Sequence, residues 1–240
     1  MEIRSPSRRP LGFGETVAVV PDTLEITTPH GPARVHLRPV DVARAALVLG
    51  HGAGGGVNAP DLVAATRAAG AAGLSVALVE QPYRVAGRRS PAPAAQLDVA
   101  WTSVVAELRD GALAGLPIVT GGRSSGARVA CRTAAATGAA GVLCLAFPVH
   151  PPGRPEKSRL SELDAVTVPV LVVQGARDPF GMPPPRQGRT VVPIAGDHGL
   201  KADRAGLEAA VSAWLESGWL FSRRGSHGRA GAPRGDRSAD

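Results

Sequence analysis

Only 3% of this 240-residue chain is aromatic, so the rings that usually fill a large interior are missing. The apolar fraction is nevertheless 44%. The core must therefore be made of Ala, Val and Leu, and a chain of this length can bury an ample one as a single α/β domain. Cysteine is nearly absent as well. Cys131 and Cys144 each sit in an apolar segment and read as small core residues. No cysteine–histidine grouping has zinc spacing, so no metal is expected. No apolar run approaches the roughly 20 residues of a membrane span. Ser7-Arg8-Arg9 resembles an export signal only faintly, because Glu15 and Pro21 interrupt the apolar core that would have to follow. Together these absences predict a reduced, cytoplasmic protein with no membrane partner.

Lysine is scarce too, with Lys157 and Lys201 standing against many arginines. With abundant Ala and Gly, this reads as a GC-rich bacterial coding bias without functional content. The net charge of +7 is spread in a way that argues against a nucleic-acid partner. Arg4, Arg8 and Arg9 against Glu2 place +2 in residues 1–14, and five arginines against Asp236 and Asp240 place +3 in residues 221–240. Both ends are rich in Gly, Ser, Arg and Pro and read as disordered tails. The intervening domain, 15–220, is left near +2, without the basic face interleaved with aromatics that nucleic-acid binding requires.

What the chain does contain is a serine on a sharp turn. The apolar run Leu116 to Thr120 leads into Gly122-Arg123-Ser124-Ser125-Gly126, and a helix-like stretch follows from Ala127. Strand, G-x-S-x-G, helix is the arrangement that lifts a hydroxyl out of a sheet. Glycines are needed two residues either side, because a Cβ there would strike the neighbouring strand or helix. With 14 serines and one residue in eight glycine, chance alone yields about 0.2 such matches, so the motif by itself is weak. Ser125 has Arg123 and Ala127 at the glycine positions, which leaves Ser124 as the candidate nucleophile.

A nucleophilic serine needs a base, and the base an orienting carboxylate. In this fold the chain order is Ser, acid, His. Val168 to Gln174 is a short β-branched apolar run, as expected of a strand buried on both faces, and Asp178 lies in the turn after it. Thr190 to Ile194 reads as another strand and leads to His198. Three reactive side chains thus fall at the same ends of three predicted parallel strands. Asp197 is adjacent to His198, but adjacent residues rarely share a useful side-chain bond, so it reads as a turn residue. His30, His36, His150 and His227 fit the base role less well.

A second glycine cluster, Gly50-His51-Gly52-Ala53-Gly54-Gly55, satisfies G-x-G-x-x-G, and Glu80 ends the next strand, as in a dinucleotide site. A pyrophosphate needs the helix to open on the glycine turn. Here the helix start, Asn58-Ala59-Pro60-Asp61 with its capping candidate and early proline, comes several residues later. No cofactor is therefore expected. The better reading is a loop that aims a second backbone N–H at a reacting carbonyl, with Ala53 as donor and Gly54 as fallback, beside the N–H of Ser125.

Coarse patterning places strands near 16–20, 24–28, 33–38, 45–50, 74–80, 117–122, 142–147, 168–174 and 189–194. Helices fall near 60–72, 96–113, 125–137, 160–166 and 203–217, the last burying Leu207, Val211 and Trp214. This predicts a doubly wound, mostly parallel sheet with antiparallel strands at its start. The segments LGHGAGG (49–55), EQPYRVAGRR (80–89), GGRSSGARVA (121–130), FPVHPPGRPEKSR (147–159), QGARDPFG (174–181) and GDHGLK (196–201) carry a resemblance. The chain resembles the α/β-hydrolases of the dienelactone-hydrolase-like kind. More narrowly, it resembles a small family whose relatives include a testis-expressed protein and a subunit of a histone acetyltransferase complex.

The resemblance implies a Ser124–Asp178–His198 triad, ester or thioester hydrolysis, a small-molecule acyl substrate and no cofactor. Its complex-subunit branch keeps a non-catalytic, ligand- or partner-binding scaffold as the alternative. Ser125 departs from the bulkier residue expected after the nucleophile, which alters the pocket wall and not the backbone donor. Between Phe147 and Val168 there is room for one short helix, so the cap is minimal. His51 reads as a structural hydrogen-bonder of its loop rather than a catalytic base, and His51, Tyr83, Arg84 and His150 are candidate substrate contacts. Arg84, Arg88, Arg89, Arg154 and Lys157 would favour an anionic acyl or leaving group if they face the site. Substrate identity and oligomeric state are not legible.

Overall fold

Alternating and continuous apolar patterns divide the sheet into two kinds of strand. Thr23–Thr28 (β1) and Gly31–Arg38 (β2) alternate, burying Ile26, Ala33, Val35 and Leu37 while the intervening side chains face outward. They form an antiparallel hairpin, as half-buried strands should. Ala45–Gly50 (β3) and Leu74–Glu80 (β4) are buried along nearly their whole length. The same holds for Ile118–Arg123 (β5), Gly141–Leu145 (β6) and Val170–Gly175 (β7). Arg189–Ile194 (β8) is buried only at its ends, and it lies at the sheet margin. The computed structural model describes residues 22–220. The strand expected at 16–20 and both tails lie outside the described residues.

The eight strands form one sheet in the order β1-β2-β4-β3-β5-β6-β7-β8. β2 runs antiparallel to β4, and every pairing from β4 through β8 is parallel. Residue alternation along β3 assigns the two faces. Leu47 and Leu49 pack with helices Pro60–Ala71 (α1) and Arg204–Glu216 (α6), whereas Ala46 and Val48 pack with Trp101, Val104 and Leu108 of Ala94–Asp110 (α3). Ala127 and Ala130 of Ser125–Thr133 (α4) and Leu163 of Leu160–Asp164 (α5) cover β6 and β7, in one cluster with Phe147 from the segment after β6. Leu207, Val211 and Trp214 are buried as their spacing predicts.

Three local details differ from the patterning. A one-turn helix, Pro82–Val85 (α2), opens directly after β4 because Pro82 occupies its first turn. The helix expected over 125–137 stops at Thr133. There Thr133 donates to the carbonyl of Val129 and Thr137 to those of Thr133 and Ala134, and Gly138 turns left-handed at φ 54°. Side-chain bonds of this kind weaken a helix from within. At α1 the N-cap is Ala59 and not Asn58, and it makes no side-chain cap bond.

Candidate active site

The serine turn is built around two missing side chains. A Cβ on Gly122 would stand 2.5 Å from the carbonyl oxygen of Gly50, and one on Gly126 would strike the same oxygen. Their absence lets the end of β5 and the start of α4 close onto the carboxyl end of β3. Ser124 between them is held at φ 51°, ψ −107°, a conformation non-glycine residues adopt only when the surroundings impose it. Its amide is tied to the Leu145 carbonyl of β6 at 2.9 Å.

From this turn the hydroxyl of Ser124 lies 2.9 Å from Nε2 of His198, and Nδ1 of the same ring lies 2.8 Å from Oδ2 of Asp178. Because a carboxylate only accepts, Nδ1 carries the hydrogen and Nε2 is left as the acceptor for the serine O–H. The Asp178 side chain is 0% exposed. Its oxygens accept from Nε2 of Gln174 at 2.8 Å and from the Phe180 amide at 2.9 Å. Phe180 stacks on the imidazole with ring centroids 4.1 Å apart. Beneath them a Cβ on Gly175 would strike the Asp197 carbonyl, so the ends of β7 and the histidine loop also need a glycine to meet. Asp197 itself accepts from the Gly199 amide within its turn.

The Gly50–Gly55 loop stands beside the serine. The Tyr83 hydroxyl donates to the Ala53 carbonyl at 3.0 Å, fastening the loop to α2. The Gln81 amide donates to Nε2 of His51 at 3.2 Å, so Nδ1 is the protonated nitrogen and donates to the Gly52 carbonyl at 2.8 Å. Burial holds the His51 pKa below its ordinary value of 6.5. The ring is neutral and both nitrogens are spent on backbone, leaving none for a substrate. Among the described residues the amides of Ala53 and Ser125 have no hydrogen-bond partner.

The other candidate contacts are scattered. His150 is packed against Gly181 in the loop that carries Asp178, and its Nδ1 lies 2.9 Å from the Pro151 carbonyl. Arg84 is half-exposed and donates to the Arg88 carbonyl at 3.4 Å, while Arg88, Arg89, Arg154 and Lys157 are exposed.

Two positioning elements went unread in the sequence. Gln174, the last polar residue of an apolar strand, holds Asp178 and also donates to the carbonyls of Phe147 and Gly181. Arg123, the variable residue of G-x-S-x-G, donates from Nε to Oδ2 of Asp61 at 3.0 Å and from Nη2 to the His198 carbonyl at 3.3 Å. A Cβ on Gly52 would stand 2.8 Å from its Nη1. One guanidinium thus touches the serine strand, the glycine loop and the histidine loop. Asp61, 1% exposed, has its carboxyl pushed up by burial and pulled back by Arg123. The sequence carries no signal of this pair, because an acid in the first turn of a helix is favoured there even when exposed.

A cavity of about 420 Å³ lies between α5 and the amino ends of β7 and β8, the end of the strands opposite Ser124, and so is no part of this site. No group of three or more metal-ligating side chains occurs among the described residues, and no helix there is long and apolar enough to cross a membrane.

Residues 43–208 match the family described as alpha/beta hydrolase domain, and the chain belongs to that family. Among solved structures it is similar to a lidless α/β serine hydrolase from Xanthomonas campestris, with 24% identity, 81% of this chain and 94% of that one covered, and a TM-score of 0.63. It is similar as well to the Est1E protein of Butyrivibrio proteoclasticus, with 15% identity, 81% and 98% covered and a TM-score of 0.65. A dienelactone hydrolase from Anabaena variabilis matches at 17% identity, 81% and 94% coverage and a TM-score of 0.62. At such identities the likeness concerns the fold. A comparison with curated protein sequences found no match.

Proposed function

We propose that the protein is a serine hydrolase that cleaves an ester or thioester through an acyl-enzyme. The observation that carries this reading is the unbroken hydrogen-bonded series from the Ser124 hydroxyl through His198 to the buried Asp178. In the proposed reaction the Ser124 oxygen attacks the acyl carbonyl as Nε2 of His198 takes its proton. Asp178 keeps Nδ1 protonated and stabilises the imidazolium. The tetrahedral oxygen is received by the amides of Ser125 and Ala53, each such donor being worth on the order of 10²–10³ in rate. The imidazolium then protonates the leaving oxygen or sulfur as the carbonyl re-forms. Water, deprotonated by the same nitrogen, attacks the acyl-serine, and the serine takes its proton back as the acid departs.

The test is covalent labelling of the purified protein by a fluorophosphonate probe. Wild type and Ser125→Ala are expected to label, and Ser124→Ala not to. The narrower kinship with the testis-expressed and acetyltransferase-subunit proteins rests on the six motif segments. A well-folded protein that never labels would favour the scaffold role that goes with it.

A further inference from the structure

The glycine loop meets the chain on both sides of Ser124. A Cβ on Gly52 would lie 3.6 Å from the carbonyl oxygen of Arg123, and one on Gly126 would stand 2.8 Å from that of His51. The Gly55 amide donates to the Gly52 carbonyl at 3.2 Å and closes a turn with Ala53 and Gly54 at its centre. The same oxygen accepts Nδ1–H of His51 at 2.8 Å, so both of its lone pairs are taken. A trans peptide is planar, with its C=O and N–H on opposite sides. Two donors on the Gly52 oxygen therefore fix the direction of the Ala53 N–H, which faces away from the imidazole and has no partner among the described residues.

The imidazole is itself anchored. His51 is buried, its Nε2 accepts from the Gln81 amide just after β4, and the Tyr83 ring meets it edge-on with centroids 5.7 Å apart. A bond accepted at Nε2 makes Nδ1–H a stronger donor, and bonds accepted by a carbonyl strengthen the N–H of the same peptide. A polarised series thus runs from the Gln81 amide through the ring to the Ala53 amide. Tyr83 acts one peptide further on: its hydroxyl donates to the Ala53 carbonyl at 3.0 Å and so fixes the direction of the Gly54 N–H. We propose, resting on the hydrolase reading above, that His51 is a positioning residue of the oxyanion hole. Through the Gly52 carbonyl it aims and strengthens the Ala53 amide that receives the tetrahedral oxygen.

The experiment follows p-nitrophenyl acetate hydrolysis. The value of kcat is counted per serine titrated at the endpoint of fluorophosphonate labelling, so an unfolded fraction drops out. His51→Leu loses both ring bonds, and its kcat is expected to fall roughly 10- to 100-fold, up to the cost of losing a whole donor. Its KM should stay within about threefold of wild type, since the interaction belongs to the transition state. His51→Asn puts an amide N–H where Nδ1–H stood and should stay within about fivefold of wild type, the loss of the bond at Nε2 alone. A packing role predicts the reverse order, because leucine fills the buried space better than asparagine. Tyr83→Phe should cost less than His51→Leu, because it frees the following peptide. Phenyl trifluoromethyl ketone gives a second readout. The Ser124 oxygen bonds to its carbonyl carbon, the serine proton passes to Nε2 of His198, and an oxyanion is left in the hole. Its inhibition constant should rise in His51→Leu by the factor by which kcat/KM falls. The rate of fluorophosphonate labelling should fall in the same order of variants, because the phosphoryl oxygen enters the same hole.

An unchanged kcat in His51→Leu, a loss carried by KM alone, asparagine no better than leucine, or a larger loss in Tyr83→Phe would each overturn the role of His51. Labelling of wild type would leave the hydrolase reading standing in every one of those cases. Absence of both labelling and turnover in wild type would overturn both.

Discussion

Asp178 is the residue on which the proposed chemistry turns, because it decides which ring nitrogen of His198 keeps the hydrogen and which is left to accept from Ser124. Its carboxylate can only accept, and the bond to Nδ1 therefore forces the acceptor nitrogen toward Ser124. An amide in its place can donate to Nδ1 and select the opposite tautomer. Asp178→Asn is expected to lower kcat by about 10⁴-fold, measured on the best ester found. The same variant should lose its rapid fluorophosphonate labelling. An activity within tenfold of wild type would mean that another group orients the histidine. Gln174 and Phe180 act through this residue. They hold the carboxylate from both oxygens and so limit its rotation away from the ring.

At the scale of elements, the site is an agreement between loops that no single strand enforces. Arg123 mediates it, joining the end of β5 to the start of α1 and to the loop after β8. The pair with Asp61 is largely out of water, with side-chain exposures of 22% and 1%. Removing one partner from such a pair strands a charge, whereas removing both can be nearly neutral. Arg123→Met is thus expected to destabilise by about 3–5 kcal/mol in urea unfolding. The double variant Arg123→Met/Asp61→Leu should recover most of that loss yet stay impaired in kcat, because the His198 carbonyl has lost its donor. If the double variant is no more stable than the single one, the pair contributes net stability of its own. A separate network ties the small cap: Arg128 and Arg132 of α4 both reach Glu162 of α5, and Arg132 also holds Asp98 of α3.

For the whole molecule, parallel strands bring their carboxyl ends to one edge. Serine, acid and histidine follow β5, β7 and β8 there, and the glycine loop follows β3. The same edge buries the neutral His51, which couples global stability to pH. Its folded pKa lies below the unfolded 6.5, so below that pH the unfolded chain binds the extra proton. The contribution is therefore fully present above pH 6.5 and is lost as pH falls through the interval between the two values. Urea midpoints of wild type should fall between about pH 7 and pH 5, and His51→Gln should flatten that slope while lowering the plateau. An unchanged slope would show that this imidazole does not control the acid side of the stability curve.

Much of this was legible in one dimension. Strands buried on both faces announce themselves as unbroken apolar runs such as Val170–Gly175, and helices by spacing such as Leu207, Val211 and Trp214. The serine turn shows in its glycines because a missing Cβ is a property of the residue itself. Grouping Ser124, Asp178 and His198 needed the Ser–acid–His chain order of this fold and the rule that parallel strands share an edge. What pairwise sequence logic does not contain is contact between residues far apart in the chain. Arg123 with Asp61, 62 residues apart, and Gln174 with the Phe147 carbonyl, 27 residues apart, are of that kind. An arginine or a glutamine looks the same in sequence whether it faces water or is buried against a distant partner. Only tertiary packing, which removes the water, decides which charges must pair and which polar atoms must find a partner inside the fold.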